Sequence, residues 1–164
     1  MDAYLAIVSK RDNRHYTAEP IPADVVERIL DAGRVTPSSQ NRQSWRFLVV
    51  EDADRRARLA EAVYEPPNVH TAQLVIAIAG SRTFDLGRCA QNMMLAAWNE
   101  GVASSPNGVA DAEAAKAALG LEEPPVTVLG FGYPARQPPA ESRSAEEWSA
   151  RANRRPLGES FERL

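Results

Sequence analysis

Glu19–Val50, EPIPADVVERILDAGRVTPSSQNRQSWRFLVV, changes its hydrophobic period once along its length. Val25, Val26, Ile29 and Leu30 recur at helical spacing after Pro20 and Pro22, where proline suits a first helical turn. Gly33 is a natural terminator. The polar loop TPSSQNRQS follows and leads into Trp45–Val50, whose β-branched and aromatic residues read as a strand. A helix, a loop of hydroxyls and amides, and a strand in that order are the unit from which the rest of the chain is read.

Upstream, a short helix is expected from Asp2 to about Lys10, ending in the basic residues Lys10, Arg11 and Arg14. Downstream, Asp52–Val63 reads as a polar surface helix, Tyr64–His70 as a proline-containing loop, and Leu74–Ala79 as a short buried strand. Asp85 is expected to cap a long helix in which Leu86, Cys89, Ala90, Met93, Met94 and Ala97 keep the i, i+3, i+4, i+7 rule up to Gly101. VASSPNGVAD reads as a second small-residue loop, Ala110–Leu119 as a helix closed by Gly120, and Val126–Phe131 as a third strand. From Pro134 to Arg155 the chain is polar, with Trp148 its one large apolar group. Such a segment is expected to be mobile or to lie as an arm on a partner. Strands interleaved with helices give an α/β or α+β domain, and the pattern alone does not choose between them.

The chain has 164 residues, 44% hydrophobic and 25% charged, as in an ordinary globular domain. Its formal charge of -3 gives no reason to expect nucleic acid or an anionic membrane as partner. MDAYLAIVSKRDNR has its apolar stretch before its charges, the reverse of a secretory signal, so a cytoplasmic protein is expected. Cys89 is the only cysteine, and His15 and His70 are the only histidines, so neither a disulfide nor a zinc site is expected.

Three features carry chemistry, each with an ordinary reading beside it. Lys10, Arg11 and Arg14 could hold a phosphate through charge-assisted hydrogen bonds, or could be a solvated turn favoured by the helix dipole. Arg154 and Arg155 have the same two readings. Pro37-Ser38-Ser39-Gln40-Asn41-Arg42-Gln43-Ser44-Trp45 lets backbone approach a flat polar ligand, although loops are rich in such residues in any case. Ser104-Ser105-Pro106-Asn107-Gly108 could aim backbone N–H groups at a redox ring, or be a plain turn. Met93, Met94 and Cys89 read as core, His15 lacks an evident acid or serine partner, and there is no GxGxxG or Walker loop.

Taken in order, these segments resemble the FMN-dependent nitroreductase family. KRDNRHY at Lys10–Tyr16 is similar to the family's basic element, and Glu19–Val50 follows its helix, PSS-x-N-x-Q-P-W loop and strand. DLGRCAQNMMLAAWNEGVASS resembles its central helix, LGLEEPPVTVLGFGYPA its next strand, and RRPL at Arg154–Leu157 its basic C-terminal motif. The resemblance implies an α+β fold, a mixed sheet flanked by helices, in an intertwined homodimer with FMN at the interface. A core at residues 1–134 and a partner-embracing arm at 135–164 would follow. Lys10, Arg11, Asp12 and Arg14 would lie at the phosphate and ribityl end, with Arg154 or Arg155 closing on the phosphate. Pro37, Ser38, Ser39 and Asn41 would reach the flavin from the other subunit, and Pro106, Asn107 and Gly108 would line its ring.

NADH or NADPH would be the electron donor and a nitroaromatic, quinone or similar small molecule the acceptor, by a ping-pong exchange. The flavin would carry the chemistry, with no catalytic side chain. Specialised flavin chemistry (FMN fragmentation or metabolite dehydrogenation) and a non-catalytic FMN-binding dimer are the alternatives. Three positions depart from the family's pattern. Asp12 stands where many relatives have serine, Ser44 replaces the proline before tryptophan, and only Ser81–Phe84 separates strand from central helix.

Overall fold

A computed structural model describes residues 1–163 of the chain. Its centre is a sheet of β1 (Trp45–Val49), β2 (Leu74–Gly80), β3 (Ala103–Asn107) and β4 (Thr127–Gly132), in the order β1-β2-β4-β3. The alternation of side chains along β2 explains why LVIAIAG lies inside. Leu74, Ile76 and Ile78 face one apolar cluster, while Val75 and Ala77 face a second. The first cluster includes Val25 and Ile29 of α2 (Ala23–Arg34) and Leu86, Met93 and Ala97 of α5 (Thr83–Asn99). The second includes Leu59 of α3 (Ala53–Glu61), Val69 of α4 (Pro66–Thr71) and Leu119 of α6 (Ala112–Leu119). The fold is therefore α+β, a sheet between two helical layers.

All three strand pairings are antiparallel, where a mixed sheet was expected. The parallel pairing found among the described residues is an isolated bridge from Asp12 to Ser104 on the outer edge of β3. That edge is thus partly covered by the chain that follows α1 (Ala3–Ser9). β1 forms the opposite edge.

Four local expectations change. Ala103–Asn107, read as loop, is β3; an edge strand tolerates Pro106 and polar residues that a central strand would not. Tyr64–His70, also read as loop, holds all but the last residue of α4, whose prolines occupy the first turn, where no N–H is needed. α5 begins at Thr83, so Asp85 is no cap but a buried first-turn residue 3.8 Å from Arg88. The last strand is consequently the fourth.

The segment after Pro134 packs on its own chain as far as Arg151. Ser144 caps α7 (Ala145–Arg151) through a capping box with Glu147, and α7 lies on α1. Trp148 is 5% exposed and its Nε1 donates to the Ala140 carbonyl at 2.7 Å. Residues 152–163 are largely exposed, and Leu164, the end of the expected arm, lies outside the described residues.

Candidate functional site

The basic cluster at the end of α1 is not a uniform anion trap. Lys10 Nζ lies 2.5 Å from the Asp12 carboxylate and 3.5 Å from Met94 Sδ, so Lys10 is spent on neutralising Asp12. Arg11 Nη1 donates to the Val8 and Lys10 carbonyls, which α1 leaves unpaired at its C-terminus, and Nη2 donates to the Trp148 carbonyl. Arg11 thereby ties α7 to α1. Burial, and then the nearby charge of Arg154, hold its pKa below the ordinary arginine value. Arg14 is exposed beside Tyr16. The Tyr16 hydroxyl donates to Asn68 Oδ1 at 2.8 Å, and burial holds the phenol well above its usual range.

Between residues 11–15 and the strap of residues 135–151 opens a cleft of about 770 Å³. Arg11, Asp12, Asn13 and His15 line one wall; Arg136, Gln137, Arg143, Trp148 and Arg151 line the other. The Arg143 and Arg11 guanidinium groups lie 4.8 and 5.7 Å from the centre of the Trp148 ring. Such contacts hold a cation over an aromatic ring without cancelling its charge. None of the strap residues lining this cleft was among the expected site residues. Ser144-Ala145-Glu146-Glu147 has the S-x-x-E form of a capping box and could have announced α7. Nothing local could have placed Arg143 and Arg151 opposite Arg11.

Pro106 and Asn107 end β3, beside the Asp12 segment, and Gly108 follows. The Asn107 side chain is occupied: its Nδ2 donates to the Glu65 carbonyl at 2.8 Å and its Oδ1 accepts from the Glu65 N–H at 3.1 Å. What Asn107 and Gly108 can offer a ligand is therefore backbone.

The Pro37–Asn41 loop lies at the start of β1, on the other edge of the sheet. Arg88 donates to the Pro37 carbonyl, Asn92 to the Thr36 hydroxyl, and the Gln43 N–H to Ser38 Oγ. Gln40, Asn41 and Gln43 all hold positive φ. Asparagine tolerates this region, but Gln40 and Gln43 each cost about 1–2 kcal/mol there, so the loop's neighbours must hold its shape. Two of the expected groups, the Asp12 segment and Pro106–Gly108, are thus brought together on one edge. Pro37, Ser38, Ser39 and Asn41 are not: they stand three strand spacings away, roughly 14 Å. Arg154 lies near Arg11; Arg155 is exposed and has no ion-pair partner among the described residues.

Cys89 is fully buried, and burial raises its thiol pKa. The native protein is expected to resist iodoacetamide at neutral pH, while the urea-unfolded chain takes up one equivalent. Alkylation of the native chain at the unfolded rate, read by intact mass, would place Cys89 in an open environment instead.

A four-stranded sheet between helices, with the two candidate segments on opposite edges and a cleft lined by arginines beside one of them, defines an α+β domain. The nitroreductase family model matches residues 7–82 and 81–133, and the chain belongs to that family. A protein from Archaeoglobus fulgidus, assigned as an NADH dehydrogenase/NAD(P)H nitroreductase, is 31% identical over 144 residues, 78% of this chain and 83% of that one. The Thermus thermophilus NADH dehydrogenase is 33% identical over 78 residues, 48% of this chain but 38% of its own length. A crystal structure from Desulfovibrio desulfuricans, described as a nitroreductase in complex with FMN, superposes with a TM-score of 0.82 at 28% identity. It covers 100% of this chain and 98% of that one. Among the described residues no helix is long and apolar enough to cross a membrane.

Proposed function

We propose that this chain binds FMN and acts as an NAD(P)H-dependent oxidoreductase, as a homodimer with the flavin between subunits. The observation that carries the reading is the separation of the two candidate loops. A planar ligand touching both Pro106–Gly108 and Pro37–Asn41 needs the second group from another copy, because one chain holds them on opposite sheet edges. Exposed apolar side chains are consistent with a partner: Tyr4, Ile7, Val35 and Val49 on the folded core, Leu157 and Phe161 in the last residues. In this reading residues 152–163 are the part of the chain that reaches across.

The residues present fit the group. The cleft supplies cations for a phosphate, and the end of β3 supplies backbone for a ring edge. Arg11, Arg14 and Arg154 or Arg155 would serve the phosphate end, with Lys10 acting through Asp12. Pro106, Asn107 and Gly108 would line the ring through backbone, and the other subunit's Pro37, Ser38, Ser39 and Asn41 would cover it. When bound, FMN would supply hydride transfer from NADH or NADPH to a nitroaromatic, quinone or similar acceptor by a ping-pong exchange. The protein's own task is to bind, orient and shield it. The Desulfovibrio structure and the Archaeoglobus relative support this assignment by similarity.

The visible spectrum of the purified protein, with FMN added, is expected to bleach with anaerobic NADH or NADPH and to return with menadione or a nitroaromatic. Flavin that binds but stays oxidised would leave a binding protein in place of a reductase. No binding at all would remove the cofactor from the account.

A further inference from the structure

One face of α5 braces the loop that leads into β1. Asn92 Nδ2 donates to the Thr36 hydroxyl at 2.8 Å, and Arg88 Nη1, one turn nearer the helix start, donates to the Pro37 carbonyl at 2.9 Å. The row continues by four residues to Phe84, which shares that face. Four residues advance a helix by about 6 Å, here in the direction in which the loop itself runs.

Phe84 is 77% exposed, the most exposed aromatic side chain among the described residues. Exposure alone means little, since single apolar side chains are common on protein surfaces. This ring, however, is held. The Arg88 guanidinium lies 5.6 Å from its centre, is fixed by the Pro37 carbonyl, and stands 3.8 Å from the buried Asp85 carboxylate. Only Ser81 and Arg82 separate Gly80, the end of β2, from Thr83, the start of α5. Gly80 is in turn the register partner of Trp45, the first residue of β1. Phe84 is thus tied to the neighbourhood of Pro37–Asn41 both through Arg88 and through the sheet.

We propose that Phe84 is a wall of the electron-acceptor site, with Arg88 as the residue that positions it, and that the wall selects planar aromatic acceptors by stacking. The inference rests on the function proposed above: a flavin covered by Pro37–Asn41 of one subunit has Phe84 of that same subunit beside it. Asp85 supplies the counter-charge to Arg88, so the wall discriminates by shape and π surface rather than by charge.

Phe84→Ala removes the ring and spares the fold, because the side chain is exposed and alanine suits a helix. Menadione titrated into the oxidised, FMN-loaded enzyme, where no electron moves, should bind about 10-fold more weakly, the effect of losing one aromatic contact. The same loss should appear in stopped-flow reoxidation of the reduced enzyme. There menadione takes a hydride from the reduced flavin and a proton from water, and leaves as the hydroquinone. Ferricyanide, two ions taking one electron each, has no ring to stack and should reoxidise variant and wild type alike. Phe84→Trp should restore menadione binding, whereas Phe84→Leu, apolar but without a π face, should not. Arg88→Met should weaken menadione binding in the wild-type background and add little once Phe84 is alanine. Equal losses in both backgrounds would remove Arg88 from the positioning role. Unchanged menadione binding in Phe84→Ala, or equal losses for menadione and ferricyanide, would overturn the wall. So would dissociation of that variant's dimer in sedimentation, since the ring would then be an interface contact. A wild-type protein that takes up no FMN ends the flavin reading itself and the wall with it; equal FMN uptake by wild type and variant separates the two failures.

Discussion

Trp148→Ala is expected to cost about 3–5 kcal/mol, the range for removing a buried large aromatic. The residue is 5% exposed, donates to the Ala140 carbonyl and sits under both Arg11 and Arg143. Seven residues are too few for a helix to stand in water without packing, so α7 should lose its structure with the side chain. The measurement is urea unfolding at fixed protein concentration, with hydrogen exchange followed over residues 140–151. A loss below about 1 kcal/mol with exchange unaltered would mean that α7 is not held by Trp148. Trp148→Phe keeps most of the apolar area but loses the N–H donor and should cost less.

Gly80→Ala is expected to be at least as damaging and to act on the other edge of the sheet. Gly80 has φ +150°, and a Cβ there would stand 2.0 Å from the Ser44 carbonyl oxygen. Gly80 and Trp45 are register partners, so the obstructing carbonyl belongs to backbone entering β1 and cannot swing aside like a side chain. Strain of about 1–3 kcal/mol for the conformation adds to the cost of moving Ser44. We expect a total above about 3 kcal/mol, together with weaker FMN binding because the Pro37–Asn41 loop is displaced. Gly87 is the internal control: it lies in α5 with nothing within 4 Å of its added Cβ. Gly87→Ala should stabilise by about 0.4–1 kcal/mol through the unfolded state. Melting curves showing equal effects at the two glycines would contradict the close approach of Ser44 to Gly80.

How far these elements could be read in advance depended on how local their causes are. α2, β1, β2 and α5 were legible because burial repeats with the period of the backbone: Met93 and Ala97 must share a helix face, and Ile76 and Ile78 a sheet face. β3 was not, because ASSPN has the composition of a turn and becomes a strand only when β4 offers it a partner edge. α4 was hidden by prolines that break a helix interior but suit its first turn. The strap looked unable to pack because the contact that docks it on the core, Trp148 with Arg11, joins residues far apart in sequence.

The candidate site divides in the same way. Sequence alone determined which residue types could meet an anion or a flat ring: Arg11, Arg14 and Arg154, the Pro37–Asn41 loop, and Pro106–Gly108. It also determined the order of elements by which the chain resembles its family. Tertiary structure decided which of those charges remain available. Lys10 is neutralised by Asp12 and Arg11 is spent on carbonyls, while Arg136, Arg143 and Arg151 stand without carboxylate partners across the cleft. Hydrophobic period is a property of neighbouring residues and can be read along the chain. Whether a charge stays available depends on side-chain distances of a few ångström, between near neighbours such as Lys10 and Asp12 and between distant residues such as Arg11 and Trp148, and only the folded chain sets those.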